Sequence, residues 1–252
     1  MIKALSRTSV DLKTTEVISS LLQILNTKKA RYNDKVETLE KEYARLIGVK
    51  EAVAFPYSRT GTYYALMALE LQEGDEVIMP AFTFWVDAAM VVMAGLKPVF
   101  VDVNFETQSI DTALIENAIT PRTKVIYPTH LNGLPADMDQ IMKIAKKHDL
   151  RVMEDCARSC GATYNDKRIG SFDIGSFSFG YGKSFYGFGG AMVTSDNTAF
   201  IKKLRDLKKD FKHISLKNLC IQTLKGSLLK YLNISYFYRF SIFPMVYKFQ
   251  VE

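Results

Sequence analysis

Cysteine, histidine and tryptophan are scarce here: three, three and one in 252 residues. Cys156, Cys160 and Cys220 are too few and too oddly placed for a disulfide framework, which points to a reducing compartment. His130, His148 and His213 are scattered without metal-ligand spacing, so no metal is expected. Long apolar runs are missing as well. The opening "MIKALSRTSVDLKTTEV" lacks the core of a signal peptide, and the cytoplasm is the expected location. Near the other end the longest uncharged runs, 231–238 and 240–247, are eight residues each, too short to cross a bilayer. An excess of one charge is absent from the main body. The net charge of +6 arises in residues 201–252, with eleven Lys/Arg against three Asp/Glu, whereas the first 200 residues hold 22 against 24. A nucleic-acid role for the body therefore has no support.

What is present is ample apolar content, 48% hydrophobic residues against 24% charged, enough for a real core. Residues 34–47 space Val36, Leu39, Tyr43, Leu46 and Ile47 for one helix face. Strand signals then alternate with helical ones: "KEAVAF", "DEVIMPA", "KPVFVDV", "TKVIYPTH", "LRVMEDC", "DIGSFSFG" and "GGAMVTS". These runs are short, β-branched and continuous, as strands buried on both faces should be. The expected fold is α/β, a mostly parallel sheet of about seven strands covered by helices on both faces. The last strand follows its predecessor too closely for a helical crossover and is expected to run antiparallel.

Several chemically useful residues fall at the carboxyl ends of these strands, where such sheets gather ligands. Lys183 sits in "SFSFGYGKSFYGFGGAMV" with no other charge between residues 174 and 194. A desolvated lysine loses its proton and becomes a nucleophile, the chemistry of a Schiff-base lysine. The plainer alternative is a lysine at a strand end with its stem on apolar surface and its head in water. "SRTGT", residues 58–62, places hydroxyls and a glycine at a helix start, where free N–H groups receive anions; simple capping by Thr60 is the alternative. Asp155 closes the apolar run "RVMED" and suits a protonated heterocyclic nitrogen, or else caps the segment that follows. Phe84 and Trp85 offer an aromatic plane or core packing. Together, an anion cradle, an acid, a flat partner and a lysine are what pyridoxal phosphate requires.

The stretches "GVKEAVAFPYSRTGTYYALMAL", "GDEVIMPAFTFWVDAAMVVMAGLKPVFVDV", "THLNGLPADMDQIMKIAKKHDLRVMEDCARSCGATYNDKRIGS" and "FSFGYGKSFYGFGGAMVTSD" carry a more specific likeness. Over about residues 34–212 the chain resembles the DegT/DnrJ/StrS family of pyridoxal-phosphate-dependent, fold-type-I sugar aminotransferases. The resemblance implies that Lys183 forms the Schiff base with the cofactor and shuttles a proton between cofactor and substrate carbons. It implies that Asp155 pairs with the pyridinium nitrogen, Phe84 stacks on one ring face and Ala157 lies against the other. Thr60, Gly61, Thr62 and Ser178 would hold the phosphate. The implied reaction moves an amino group, usually from glutamate, onto a nucleotide-linked keto-sugar for surface polysaccharide or secondary-metabolite sugars. A homodimer is implied too, since family sites are shared between subunits. Relatives that dehydrate a sugar usually lack the lysine, so Lys183 argues against that chemistry.

The chain also departs from the family pattern. Arg158 stands where a glutamine usually contacts the ring hydroxyl, within "EDCARSCGA" in place of "EDAAQAHGA". An arginine there would lower the phenol's pKa or swing towards an anionic substrate. The expected division is an N-terminal segment (1–33), a cofactor-binding large domain (34–212) and a basic aromatic tail (213–252). Family members continue into a C-terminal domain that closes the substrate site, whereas this chain stops about forty residues after the resemblance fades. The tail suits an acidic membrane surface or packing against a partner or missing domain. A second functional reading follows from Arg158 and the tail: a catalytically impaired or truncated relative that binds cofactor or sugar nucleotide, or scaffolds a membrane-associated pathway.

Overall fold

The helix expected at residues 34–47 forms as α1 (Asp34–Ile47), but it buries a different stripe from the one its apolar residues mark. Glu40, Tyr43, Ala44 and Ile47 face inward, while Val36, Leu39 and Leu46 are exposed. The cause is Glu40, a buried acid with partners enough to tolerate burial. Its carboxylate accepts the Ala54 N–H at 2.7 Å and Arg205 Nη1 at 2.6 Å, with Lys208 Nζ at 3.5 Å. A polar residue so satisfied occupies a core position that hydrophobic counting assigns to leucine.

The protein, seen as a computed structural model, is described at residues 34–211 apart from Tyr181, Ser184 and Phe188, and at positions 15, 18, 19, 22, 217, 218, 220, 221, 223–225 and 228. The N-terminal segment and the membrane-facing or partner-facing stretch of the tail lie almost wholly outside the described residues. Among the described residues no helix is long and apolar enough to cross a membrane.

The chain alternates as expected: β1 (Glu51–Phe55), α2 (Ser58–Ala68), β2 (Glu76–Pro80), α3 (Trp85–Met93), β3 (Lys97–Val101), then α4 (Thr112–Ile115) and a 3-10 turn (Glu116–Ala118). After these come β4 (Thr123–Ile126), α5 (Met138–Lys147), β5 (Arg151–Asp155), the small hairpin β6 (Thr163–Tyr164) and β7 (Lys167–Arg168), β8 (Ile174–Ser178), β9 (Ala191–Ser195) and α6 (Thr198–Lys208). Seven strands form one sheet in the order β1-β9-β8-β5-β4-β2-β3. The β2, β3, β4, β5 and β8 pairings are parallel, and β9 runs antiparallel to both β8 and β1. The mostly parallel sheet and its antiparallel last strand are as the sequence predicts. The β2 side chains show why its run is continuous: Val77 and Met79 join the core under α2, α3 and α6, while Ile78 joins the core under α5.

Two glycines set how closely the layers approach beneath the site. A Cβ on Gly175 would lie 2.4 Å from Thr194 Oγ1 and 2.5 Å from the Gly170 backbone, and one on Gly170 would meet the Phe177 ring at 2.2 Å. Gly170 also has φ +79°, which a side chain resists. Gly175→Ala is expected to destabilise the fold by about 3 kcal/mol, because backbone must move to admit the methyl group. Urea unfolding checks this: a lower midpoint at an unchanged slope is expected.

Candidate active site

The start of α2 is set by Tyr57, whose extended backbone (φ −147°, ψ 149°) begins the helix without a side-chain cap. Thr60 is therefore inside the first turn and does not cap it. The N–H groups of Ser58, Arg59 and Thr60 have no partner within the helix, whereas Gly61 N–H is taken by Tyr57 O at 3.0 Å. Gly61 lies against the sheet, where a Cβ would come 3.0 Å from the Val193 side chain. Thr62 is fully buried, its hydroxyl 3.3 Å from Tyr127 Oη and 3.2 Å from Ser176 Oγ. Of the three residues expected to hold a phosphate here, Thr60 stands at the open helix start, while Gly61 and Thr62 underlie it.

A cavity of about 510 Å³ opens beside this start, within the range of small-molecule sites. Lys183, Asp155, Phe84, Ala157, Arg158 and Ser178 line it together, although they come from four separate stretches of chain. Thr60, Gly61 and Thr62 are not among its walls; Ser58 and Arg59 take that place.

Asp155 ends β5 and is 7% exposed. Its Oδ1 accepts the Ala157 N–H at 2.9 Å, so it holds the following turn and still faces the cavity. Burial pushes its carboxyl above the ordinary range, against the opposing pull of that N–H, Lys183, His130 and Arg158. Lys183 lies in the β8–β9 loop, which turns on Gly182, Gly189 and Gly190, all at positive φ. Burial lowers its amine below the usual lysine range despite the raising effect of Asp155, and Arg158 lowers it further. Its Nζ lies 5.7 Å from the centroid of the Phe84 ring. Lys183 is thus a partly buried amine beside an aromatic face. Ser178 ends β8 with its hydroxyl accepting the Gly180 N–H at 3.4 Å.

Behind Asp155 the strand end is locked by Glu154, fully buried on the opposite face. Glu154 Oε2 pairs with His130 Nε2 at 3.1 Å and accepts Gly170 N–H at 2.7 Å, and Oε1 accepts Phe172 N–H at 2.9 Å. His130 Nδ1 accepts Ala136 N–H at 3.0 Å, so the ring proton belongs on Nε2 and is donated to Glu154. Cys156 completes a trio whose donor atoms lie within 4.8 Å of one another, yet both ring nitrogens of His130 are already engaged, Nδ1 by the Ala136 N–H and Nε2 by Glu154. The His130 backbone N–H donates to the Asp155 backbone carbonyl at 3.0 Å, which ties this lock to Asp155.

Sequence reasoning missed several wall residues: Tyr57, Arg59, Asp87, Thr129 and Lys225. Asp87 had a signal, as the only charge in the otherwise apolar "WVDAAMVVM" of α3. Lys225 did not, since it comes from the region read as a tail.

The cavity's fit to pyridoxal phosphate can be judged from its own donors. An open helix start with Ser58 and Ser178 suits a phosphate, a buried acid suits a ring nitrogen, and Phe84 and Ala157 suit two ring faces. The donor set fits. Comparison with known proteins agrees. Residues 12–219 match the DegT/DnrJ/EryC1/StrS aminotransferase family. A UDP-N-acetyl-3-dehydro-alpha-D-glucosamine 3-aminotransferase from Acidithiobacillus ferrooxidans is 45% identical over 196 residues, covering 77% of this chain and 53% of that protein. Among solved structures, NtdA from Bacillus subtilis with the cofactor pyridoxamine phosphate bound aligns at TM-score 0.75 and 30% identity, over 93% of this chain and 57% of its own. S. venezuelae DesV in complex with a ketimine intermediate aligns at TM-score 0.74 and 29% identity, over 84% and 62%. The chain spans about half the length of the curated relatives it matches. In fold and in its matched sequence the chain belongs to the DegT/DnrJ/EryC1/StrS aminotransferase family, whose cofactor is pyridoxal phosphate.

Proposed function

We propose that residues 34–212 form the cofactor-binding domain of a pyridoxal-phosphate-dependent aminotransferase acting on a nucleotide-linked keto-sugar. The amino donor is taken to be glutamate, the setting surface-polysaccharide or secondary-metabolite sugar synthesis, and the working form a cytoplasmic homodimer. The observation that carries this reading is the convergence of the Lys183 amine, the buried Asp155 carboxyl and the Phe84 ring on one cavity at the open start of α2.

When bound, the cofactor supplies an electron sink for charge that develops on a substrate carbon. The chain's own groups do the rest. The N–H groups of Ser58–Thr60 and the Ser178 hydroxyl receive the phosphate, assisted by the helix dipole. Asp155 would hold the proton on the ring nitrogen, a cationic partner that would draw its carboxyl back towards ionisation. Phe84 and Ala157 would confine the ring. Lys183 Nζ, depressed by burial, is available as the free amine to attack an aldehyde and to accept and return a proton. Arg158, an exposed cation on the wall, is placed to meet an anionic group of the ring or of a substrate.

Adding pyridoxal phosphate to purified protein is expected to produce a visible absorbance band that borohydride locks onto Lys183, as read by peptide mapping. Its rate of formation should rise with pH and level off below the ordinary lysine range, since only the unprotonated amine reacts. No band, or label scattered over surface lysines, would sink the reading.

A further inference from the structure

Asp87 and the hydroxyls beneath the cavity are not accounted for by the roles above. Asp87 is 6% exposed, sits on α3 and lines the same cavity as Asp155 and Lys183. Its Oδ1 accepts the Tyr127 hydroxyl at 3.3 Å. Tyr127, buried at the end of β4, lies 3.3 Å from Thr62 Oγ1; Thr62 is 3.2 Å from Ser176 Oγ; and Ser176 is 3.4 Å from Ser58 Oγ. Ser58 returns to the cavity wall at the start of α2. A continuous line of single-proton hydroxyls thus runs under the site, from its anion-receiving end to a carboxyl group.

We propose that Asp87 is a second acid of this site, carried as the neutral carboxylic acid whenever an anion occupies the start of α2, with its protonation coupled to that anion through Tyr127, Thr62, Ser176 and Ser58. The reasoning is proton counting. Each hydroxyl has one proton to donate. An anion at the α2 start turns the Ser58 proton outward, so Ser58 Oγ accepts from Ser176, Ser176 from Thr62, and Thr62 from Tyr127. Tyr127 then has no proton for Asp87. Its oxygen presents a lone pair instead, and only a protonated Asp87, having taken one proton from water, satisfies it. With the α2 start empty, Tyr127 donates to Asp87, the arrangement seen here.

The charges around Asp87 favour the same outcome. Asp155 faces it from β5, Lys183 from the β8–β9 loop and Tyr127 from β4, while Arg158 acts on both Asp155 and Lys183. Burial and the Asp155 charge push Asp87 well above the usual carboxylate range, and the Lys183 ammonium and the Tyr127 hydrogen bond offset only part of this. Once the Lys183 amine is committed to a ligand, the offset shrinks and one of the two acids must stay neutral. Asp87 takes the proton, which leaves Asp155 as the sole negative charge against a cationic ring nitrogen. Asp87 is a positioning residue: it keeps the site's negative charge where the ring proton is held. This inference rests on the cofactor reading above.

Infrared difference spectra of the protein, recorded on adding inorganic phosphate and separately pyridoxal phosphate, test it. A carboxylic-acid C=O band is expected to appear with either anion in the wild type, to be absent from Asp87→Asn, and not to respond to phosphate in Thr62→Val or Tyr127→Phe. The pH midpoint of the visible band on Lys183 should be unchanged in Asp87→Asn. No infrared band in the wild type, a band that persists in Asp87→Asn, or a midpoint lowered in that variant by about one unit or more, as losing a nearby negative charge requires, would overturn the proposal. A wild type with no Lys183 adduct would sink the cofactor reading alone, because the response to inorganic phosphate still decides the relay.

Discussion

Lys183→Ala is expected to lose the borohydride-reducible visible band entirely and to lower aminotransfer by about 10³-fold or more, since one residue supplies both the nucleophile and the proton carrier. The effect should be this large because, among the described residues, no other wall group matches it. Arg158 and Arg59, on the same wall, carry guanidinium groups, which do not form a Schiff base with an aldehyde as an amine does. Lys225 also lines the cavity, but its side chain is exposed rather than set beside Asp155 and Phe84 as Lys183 is. Single-turnover kinetics with glutamate as donor, paired with peptide mapping, provide the check. Activity surviving at the wild-type rate, with or without label on Lys225, would show that transamination does not run through Lys183.

The second large effect is on stability. Glu154→Ala removes the shared acceptor of three buried donors: His130 Nε2, Gly170 N–H and Phe172 N–H. Each unsatisfied donor costs on the order of 1–3 kcal/mol, so a loss of about 4 kcal/mol is expected after partial relaxation. That is a large share of the stability of an ordinary domain. Glu154→Gln should cost clearly less, because its carbonyl oxygen, placed where Oε2 stands, still accepts two of the three. Both are read from urea midpoints. Cofactor affinity should fall with them, since the His130 N–H bonds the Asp155 carbonyl and this lock holds the strand end that carries the site acid. Equal midpoints for wild type and alanine variant would mean that water replaces the carboxylate and that the lock contributes nothing.

Much of the architecture was legible because strand and helix signals are local. Runs such as "DEVIMPA" and "LRVMEDC" declare burial on both faces within a few residues, and the brief gap before "GGAMVTS" leaves no room for a crossover. Lys183 and Asp155 were legible for the converse reason: each is a polar exception at the end of an apolar run. Where expectation and structure part, a partner distant in sequence made the difference. The inner face of α1 turned on Glu40, a residue that periodicity marks as solvent-facing until Arg205 and the Ala54 N–H are brought to it. Gly61 and Thr62 turn inward against Val193, Tyr127 and Ser176, which leaves Ser58 and Arg59, rather than residues 60–62, on the cavity wall.

The sequence by itself determined the sheet, its antiparallel last strand, and the presence of Lys183, Asp155 and Phe84 near strand ends. Those depend on side-chain pattern within one element and on which elements end together at a strand edge. Only the tertiary structure decided which polar groups share protons. Ser58, Thr62, Asp87, Tyr127 and Ser176 are spread over more than a hundred residues, and each has an ordinary local reason to be where it is. They become one line of hydrogen bonds only when α2, α3, β4 and β8 pack around a common floor, because a buried hydroxyl must find its partner among whatever the sheet order places beside it.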